Sequence, residues 1–225
     1  GFEVLVVEED QPLGTGGAIA NCREHIRGSR AIVMNGDLIT TVDVQDMLSH
    51  HVKSDSLVSI SLWPVEDPTR FGVADFDQKK GLIRRFQEKP SLEEAYSNLI
   101  NAGCYIIETS VIQGLSTEFH SMERDVFPGI AESGRMGGYR YSGRFIDAGT
   151  PASYLEAMVA AIEDNSFNIG GIVGTSWYAD PKMSKKGIEN SAVGMGCKLG
   201  DGIRVNRSAI LEGARIGENV HLDNC

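Results

Sequence analysis

The sequence lacks paired cysteines and any long apolar run. Its four cysteines, Cys22, Cys104, Cys197 and Cys225, are far apart in the chain and form no C-x-x-C pair. This spacing favours neither a disulfide framework nor a zinc site, and it predicts reduced thiols in a cytoplasmic protein. No run of about 18 apolar residues is present, so we expect no membrane span, and the first nine residues do not have the pattern of a signal peptide.

Positive charge is also scarce. Lys and Arg number 21 against 31 Asp and Glu, which gives a formal net charge of −10. A negative chain repels phosphate backbones and anionic lipid surfaces, so we expect neither nucleic acid nor a membrane as a partner. A phosphorylated substrate would have to be met by local cations or by a metal ion. With 225 residues, 41% of them hydrophobic, the chain is long enough to bury a sizeable core.

Apolar runs alternate with amphipathic segments through residues 1–164, which predicts an α/β domain. Residues 4–7, 31–34 and 57–62 have the pattern of strands, whereas 18–26, 44–51 and 153–164 have the pattern of helices. The order predicts a Rossmann-like, mostly parallel sheet, with a hairpin over residues 72–86. In such sheets ligands bind at the carboxyl ends of strands, where residues 11–17 and 35–37 lie.

A different pattern begins after residue 188. Apolar residues recur six apart, with one step of five from Val205 to Ile210; they are Val193, Leu199, Val205, Ile210, Ile216 and Leu222. This period predicts a short left-handed parallel β-helix of about two coils, fewer than the three repeats that usually make a stable solenoid. We therefore predict a domain at 1–164, a linker at 165–187 and an incomplete hexapeptide-repeat β-helix at 188–225, which either continues in the natural protein or rests on another subunit.

Two aspartates follow strand-like runs and are flanked by glycine. Gly36 precedes Asp37, and Gly149 lies two residues after Asp147. Carboxylates on neighbouring strand ends could hold one Mg²⁺ ion, which takes oxygen ligands and usually keeps water and substrate phosphate in its shell. The alternative is that both residues are turn residues or helix caps.

Three further segments could contact a ligand. Gln11–Gly17 brings open backbone to a helix N-terminus, but it fits neither the Walker nor the dinucleotide-binding pattern. Lys89, in Glu88-Lys89-Pro90, could offer a point charge to a phosphate, or the pair could be solvated at a strand end. Asn101, followed by Gly103, could meet sugar hydroxyls or simply form a turn. The five histidines form no visible pair with a nucleophile, so we expect surface or core roles for them.

Taken in order, these segments resemble the sugar-1-phosphate nucleotidylyltransferase family, and most of all its mannose-1-phosphate guanylyltransferase members. The resemblance covers nearly the whole chain, with the hexapeptide tail included. The motifs are Gln11-Pro12-Leu13-Gly14-Thr15-Gly16-Gly17, Asn35-Gly36-Asp37, Arg70-Phe71-Gly72-Val73, Glu88-Lys89-Pro90, Asn101-Ala102-Gly103, Glu123-Arg124-Asp125-Val126-Phe127-Pro128 and Phe145-Ile146-Asp147-Ala148-Gly149-Thr150-Pro151.

The resemblance implies a role for each of these segments. Residues implied to bind the nucleotide are Gln11, Gly14, Gly16 and Gly36. Residues implied to bind the sugar phosphate are Gly72, Glu88, Lys89, Asn101 and Gly103, with Lys89 on the phosphate. Residues implied to hold Mg²⁺ are Asp37 and Asp147, which with Lys89 form the implied catalytic set.

The implied reaction joins a nucleoside triphosphate and a sugar 1-phosphate into a nucleotide-sugar and releases pyrophosphate. The pattern E-x-x-V-F-P favours GTP and mannose 1-phosphate over glucose 1-phosphate with UTP or dTTP. The family's loop G-G-x-G-T-R-L-x-P-L-T is absent from the printed sequence, so we expect an N-terminally incomplete domain and negligible turnover by the chain as printed. A homo-oligomer formed through the β-helix is also expected.

Two other functions stay open at this stage. A non-catalytic paralogue that binds nucleotide-sugars in a regulatory role would not need the absent loop. A hexapeptide-repeat acyltransferase would need a catalytic histidine in the β-helix, where only His221 lies.

Overall fold

The computed structural model describes residues 3–164 and 169–225, and the chain divides into two compact units. The first unit comprises Gly1–Gly36 and Thr41–Arg144, and the second comprises Asp37–Thr40 and Phe145–Cys225. The first four residues of the predicted linker, 165–168, lie outside the described residues. Within the described part of the chain, no helix is both long and apolar enough to cross a membrane.

The helices and strands are numbered in chain order. They are α1 (Gly14–Asn21), β1 (Arg30–Met34), β2 (Leu38–Thr40), α2 (Val44–Lys53), β3 (Val58–Pro64), β4 (Gly72–Asp77), β5 (Leu82–Glu88), β6 (Leu99–Glu108), α3 (Thr109–Gln113), α4 (Phe127–Glu132), β7 (Met136–Arg140), β8 (Phe145–Asp147), α5 (Pro151–Glu163), β9 (Ile172–Val173), β10 (Ser176–Tyr178), β11 (Ile188–Glu189), β12 (Ala192–Val193), β13 (Lys198–Leu199), β14 (Arg204–Asn206), β15 (Ala209–Ile210), β16 (Arg215–Ile216) and β17 (His221–Asp223). A π-helical turn over Met122–Val126 leads into α4.

The first unit is built on a six-stranded sheet in the order β1-β6-β3-β7-β5-β4. The predicted strands at 31–34 and 57–62 and the predicted hairpin are all present in it. The expectation of a mostly parallel sheet is wrong for the described strands, because β3–β7 is the parallel pair and the other pairings are antiparallel. Among the antiparallel pairs β4–β5 is a hairpin, which a short turn can join. The pairs β1–β6, β3–β6 and β5–β7 join strands that are distant in the chain, so long-range pairing decides their direction.

The apolar run at residues 4–7 does not form the predicted strand. No strand is assigned there, and the side chains of Val4, Leu5 and Val6 are exposed. An apolar run becomes a strand only when a neighbouring strand takes up its backbone hydrogen bonds, and β1 pairs with β6 rather than with this segment. β1 is also less buried than expected. The side chains of Ile32 and Met34 are exposed, whereas those of Ala31 and Val33 pack against the core.

The core of the first unit lies between the sheet and its helices. Buried side chains come from β3, β5 and β6, from the π-helical turn and from α4, and they include Ile60, Ile83, Ile107, Met122 and Phe127. Phe127 packs edge-on against Phe86 and Tyr105, with ring centroids 5.5 and 5.3 Å apart. These contacts anchor the residues just after Glu123, so the apolar core fixes where that polar residue lies.

The second unit begins with β2, which pairs antiparallel with β8 across more than a hundred residues of sequence. α5 follows β8 directly and starts with a capping box, in which the Thr150 side chain accepts from Ser153 N and the Ser153 hydroxyl accepts from Thr150 N. Ile146 packs with Ala157 and Ala160 of this helix. The strand end at Asp147 is therefore held by a ladder on one side and by a capped helix on the other.

The strands from β11 to β17 pair with one another in parallel at a constant offset. Ile188 pairs with Val205 and Val205 with Leu222, and β12–β15 and β13–β16 repeat the 17-residue step. The apolar residues at the predicted six-residue period pack together, with Val193, Val205 and Ile210 buried. Parallel pairing starts at β10, through Trp177 and Ala192, within the segment predicted as linker.

Three buried serines form a ladder of hydrogen bonds between successive turns of these parallel strands. The six-residue period of apolar residues does not predict it. Ser176, Ser191 and Ser208 are all fully buried. The hydroxyl of Ser176 accepts from Ser191 N at 3.2 Å, that of Ser191 from Ser208 N at 3.0 Å, and that of Ser208 from Cys225 N at 3.1 Å. Each hydroxyl also donates to a backbone carbonyl, Ser176 to Ile188, Ser191 to Glu189 and Ser208 to Asn206, so each side-chain oxygen of the ladder has partners.

Substituting the middle serine tests this ladder. We expect Ser191→Ala to destabilise the second unit by about 1–3 kcal/mol, because it leaves the buried amide of Ser208 without an acceptor. Hydrogen exchange at the Ser208 amide, together with urea unfolding, measures the loss. Ser184→Ala, at an exposed serine, is the matched control and should change neither. Equal effects of the two substitutions would contradict the structural role of the ladder.

Candidate functional site

Asp37 and Asp147 lie together at the paired ends of β2 and β8. Leu38 is the register partner of Asp147, and the carbonyl of Asp37 accepts a hydrogen bond of 2.8 Å from Ala148 N. The ladder thus brings two carboxylates from distant parts of the sequence to one strand edge. The sequence-based expectation that they are neighbours agrees with this geometry.

Gly149 lies beside both carboxylates and is exposed. A methyl group at this position would lie 2.9 Å from Asp147 Oδ1 and 3.5 Å from Asp37 Oδ2. The amide of Gly149 also donates to Asp147 Oδ1 at 2.9 Å and so orients that carboxylate. A small ligand can therefore approach both oxygens at a point that a side chain on residue 149 would fill.

The donor set at this point consists of hard oxygen atoms, which suits Mg²⁺ more than a soft metal. In residues 3–164 and 169–225 no group of three or more His, Cys, Asp or Glu side chains is placed to hold a metal ion. Two carboxylates that leave most of the coordination shell to water and phosphate are typical of Mg²⁺ sites that act on nucleotides.

The glycine-rich segment forms the start of α1 rather than a loop before it. Gly14 opens the helix with a φ of +71°, and the amide of Gly16 donates to His120 O at 3.0 Å. Side chains at Gly14 or Gly16 would overlap with the backbone or ring of His120. The glycines are therefore required for close packing on the segment around residue 120, while Gln11 is exposed just before the helix.

Gly72, Glu88 and Lys89 meet at one end of the β4–β5 hairpin. Gly72 is the register partner of Glu88, and a Cβ on Gly72 would lie 2.9 Å from Glu88 Oε2. Lys89 has a φ of +49°, and its amide donates to Phe71 O, which turns the chain away from the strand. Its ammonium is more than half exposed and lies 3.9 Å from Glu88 Oε1, so it is available to a phosphate.

Asn101 and Gly103 lie within β6, which begins at Leu99. Asn101 Oδ1 accepts from Gly103 N at 3.0 Å, and Asn101 Nδ2 donates to the hydroxyl of Tyr105 at 3.0 Å. Gly103 O accepts from Asn35 N at 2.9 Å, so this hydrogen bond attaches Asn35 to β6. The Asn101 amide retains one N–H and one lone pair for a further partner.

Gly36 is exposed, with nothing within 4 Å of a Cβ built on it.

Glu123, which the sequence indicates only as part of the pattern E-x-x-V-F-P, accepts hydrogen bonds from three side chains. Its Oε2 accepts from Thr15 Oγ1 at 2.6 Å and from Ser121 Oγ at 2.7 Å, and its Oε1 accepts from the Tyr105 hydroxyl at 3.3 Å. The π-helical turn holds it there, and such turns are frequent at functional sites. The period of two from Asn101 to Tyr105 was the available signal in the sequence, whereas nothing local pointed from Glu123 to Thr15.

Burial and the charge of Glu123 affect the pKa of Glu88 at the end of the β4–β5 hairpin. Burial is the main cause that raises the pKa of the Glu88 carboxyl, and the negative charge of Glu123 adds to the increase. Lys89 and Arg124 act in the opposite direction. Burial also raises the pKa of the Tyr105 hydroxyl, which therefore stays protonated as a hydrogen-bond donor to Glu123.

The residues identified from the sequence thus fall into two groups. In the first unit, hydrogen bonds through Tyr105 and Glu123 connect Asn101 to the glycine-rich helix start, and Glu88 lies near enough for its pKa to respond to Glu123. In the second unit, Asp37 and Asp147 face one point beside Gly149. His51 has the core role that was expected for a histidine, since it is buried and bonded to Ser59 and Glu108.

Known proteins similar to this chain include curated enzymes and a solved structure. Mannose-1-phosphate guanylyltransferase of Mycobacterium tuberculosis is 31% identical over 224 residues, which cover 96% of this chain and 62% of that protein. Mannose-1-phosphate guanylyltransferase catalytic subunit beta of Danio rerio is 30% identical over 246 residues, covering 100% of this chain and 65% of its own length. The chain therefore spans less than two thirds of these relatives.

The solved structure is HddC from Yersinia pseudotuberculosis complexed with GMP-PN. It is 32% identical with a TM-score of 0.54, over 66% of this chain and 63% of that one, so the two share a fold over that part. The Nucleotidyl transferase family matches residues 1–164, which contain Asp37, Lys89 and Asp147. With most of the sequence matched, the chain belongs to the nucleotidyl transferase family.

Proposed function

We propose that the protein transfers a nucleotidyl group from GTP to mannose 1-phosphate, giving GDP-mannose and pyrophosphate. The observation that carries the proposal is the pair of carboxylates, Asp37 and Asp147, which face one open point beside Gly149. The names of the two curated relatives support GTP and mannose 1-phosphate as the substrates. The segment from Glu123 to Pro128 also favours guanylyl transfer over the thymidylyl and uridylyl alternatives.

In this reaction an oxygen of the sugar phosphate attacks the α-phosphorus of the triphosphate. The bond from the α-phosphorus to the bridging oxygen breaks, and pyrophosphate leaves with that oxygen and its electron pair. Such a transfer depends on positioning and charge neutralisation rather than on a covalent nucleophile. The described site residues are of the types that this requires: carboxylates, a lysine, an amide and glycines.

Each group of residues has a separate role in the proposal. Lys89 would neutralise the sugar phosphate, Glu88 would accept hydrogen bonds from sugar hydroxyls, and Asn101 would use its remaining N–H and lone pair on the sugar. Asp37 and Asp147 would hold Mg²⁺, which when bound supplies positive charge to the phosphate oxygens. Gln11, Gly14, Gly16 and Gly36 would border the nucleotide, with Gln11 and Gly36 exposed and Gly16 buried against His120.

Three further parts of the proposal concern the rest of the protein. We propose that the strands from residue 176 onward form a left-handed parallel β-helix, which their parallel pairing at 17-residue steps supports. Its unpaired strand edges would join copies of the chain into a homo-oligomer. The separated cysteines support a cytoplasmic location.

Binding and turnover by the printed chain are measured separately to test the function. We expect calorimetric titration to detect GTP, mannose 1-phosphate and GDP-mannose in the presence of Mg²⁺, with weaker binding of dTTP, UTP and glucose 1-phosphate. Phosphorus NMR then follows pyrophosphate release. Binding of GDP-mannose without pyrophosphate release would favour the regulatory alternative or the expected negligible turnover of the printed chain. No binding of either substrate would refute the proposal.

Removing one carboxylate tests the proposed metal site without any assay of turnover. We expect Asp37→Asn to weaken the binding of Mn²⁺, used alone as a probe for Mg²⁺, about tenfold or more, because a charged oxygen ligand is lost. Gly149→Ala should act in the same direction by placing a methyl group between the carboxylates. Electron paramagnetic resonance of free Mn²⁺ measures both.

The matched control for the metal site is Asp201→Asn, which removes the same charge from a side chain that is 92% exposed and paired with Lys185. It should leave the Mn²⁺ affinity unchanged. If Asp37→Asn and Asp201→Asn bind Mn²⁺ equally well, the two-carboxylate site is not the site of metal binding.

Neutralising Lys89 tests the phosphate-binding role. We expect Lys89→Gln to raise the dissociation constant of mannose 1-phosphate about 10- to 100-fold, since a charged hydrogen bond to phosphate contributes about 1.5–3 kcal/mol. Mannose itself should bind both proteins equally, because it has no phosphate. Lys79→Gln, at an exposed lysine in the turn of the same hairpin, is the control and should have little effect. A similar weakening by both substitutions would indicate a general charge effect instead.

A further inference from the structure

Glu123 connects two groups of residues that the proposed function uses for different substrates. On one side its Oε2 accepts from Thr15, which lies between Gly14 and Gly16 in the first turn of α1. On the other side its Oε1 accepts from Tyr105, whose hydroxyl in turn accepts from the Asn101 amide. One carboxylate therefore joins the nucleotide-side helix start to the sugar-side strand.

Several constraints hold Glu123 in this arrangement. Ser121 donates to Glu123 Oε2 through its hydroxyl and accepts from Glu123 N at 3.2 Å, so the carboxylate has two donors on one oxygen. Thr15 Oγ1 also accepts from Met122 N at 2.9 Å, which locks the hydroxyl between two residues of the π-helical turn. Met122 and Phe127, on either side of the charged residues in this turn, are fully buried. The position of the carboxylate is thus determined by packing as well as by hydrogen bonds.

We infer that Glu123 is a positioning residue for nucleotidyl transfer, which holds the Thr15 turn and the Asn101–Tyr105 pair in fixed relation. The inference rests on the proposed function. In-line transfer is sensitive to the relative placement of the two substrates, so a residue that sets this placement affects the reaction without touching the reacting atoms. Removing the negative charge of Glu123 would weaken its hydrogen bonds with Thr15 and with Tyr105.

The charge of Glu123 gives a second observable consequence. Besides burial, the charge of Glu123 raises the pKa of the Glu88 carboxyl, while the charges of Lys89 and Arg124 lower it. The Tyr105 hydroxyl also interacts with Glu88. If ionised Glu88 accepts hydrogen bonds from the sugar, binding strengthens as the pH rises through its pKa. Removal of the Glu123 charge lowers that pKa, so the acidic limb of the binding profile moves to lower pH.

The experiment measures mannose 1-phosphate and GTP binding to the full chain by calorimetry. We expect Glu123→Gln to weaken mannose 1-phosphate binding about tenfold, the equivalent of one hydrogen-bonded contact, and to move the acidic limb of its pH profile downward. Glu132→Gln, which removes the same charge from an exposed residue at the end of α4, should change neither.

Substitutions at the two partners of Glu123 extend the test. Thr15→Val removes the hydroxyl that donates to Glu123, and Thr15→Ser should recover most of the binding that Thr15→Val loses. The effects of Glu123→Gln and Tyr105→Phe should be non-additive, because the first removes the charge of the acceptor and the second removes the donor of the same hydrogen bond. Thermal unfolding by circular dichroism, run on each variant, separates loss of binding from loss of fold.

The outcomes separate this inference from the function on which it rests. Normal binding by the unsubstituted chain, with Glu123→Gln and Glu132→Gln alike in affinity and pH profile, would overturn the positioning role alone. Additive effects of Glu123→Gln and Tyr105→Phe would also overturn it. A chain that binds neither mannose 1-phosphate nor GTP would overturn the proposed function and this inference together.

Discussion

The pairing of β6 is the constraint on which the first unit depends. This ten-residue strand pairs with β1, β3 and β4, so most of its backbone hydrogen bonds are used in ladders. Its register against β3 shifts between Tyr105 and Asn101, where Gly103 has a φ of +67°. This irregular stretch brings the Asn101 amide to the Tyr105 hydroxyl, to which Asn101 Nδ2 donates.

The polar network above β6 is stable because an apolar core supports it. Tyr105 is almost fully buried, and its ring packs against Phe127, while its hydroxyl reaches Glu123. A buried hydroxyl or carboxylate without a hydrogen-bond partner costs more free energy than one hydrogen bond contributes when it forms. Each member of the network therefore stabilises the positions of the others. The same principle acts in the second unit, where the serine ladder satisfies buried amides between layers of short strands.

Much of the local structure could be predicted from the sequence because it depends on neighbours in the chain. The period-two run at β3, the hairpin of β4 and β5, the capped start of α5 and the six-residue period after residue 188 all have local causes. Predictions were wrong where a distant partner decides. Residues 4–7 form no strand because no neighbouring ladder takes up their backbone, and the direction of strand pairing depends on which strands meet.

The candidate site divides in the same way. The sequence by itself determined which residue types are available: two aspartates after apolar runs, a lysine after a strand, and glycines where the chain must pass close to other atoms. Only the tertiary structure decided that Asp37 and Asp147 face one point beside Gly149, and that Glu123 joins Thr15 to Tyr105. The physical reason is that periodicity and turn propensity act over a few residues. Ladder pairing and core packing, in contrast, join residues about a hundred positions apart through contacts that no local pattern records.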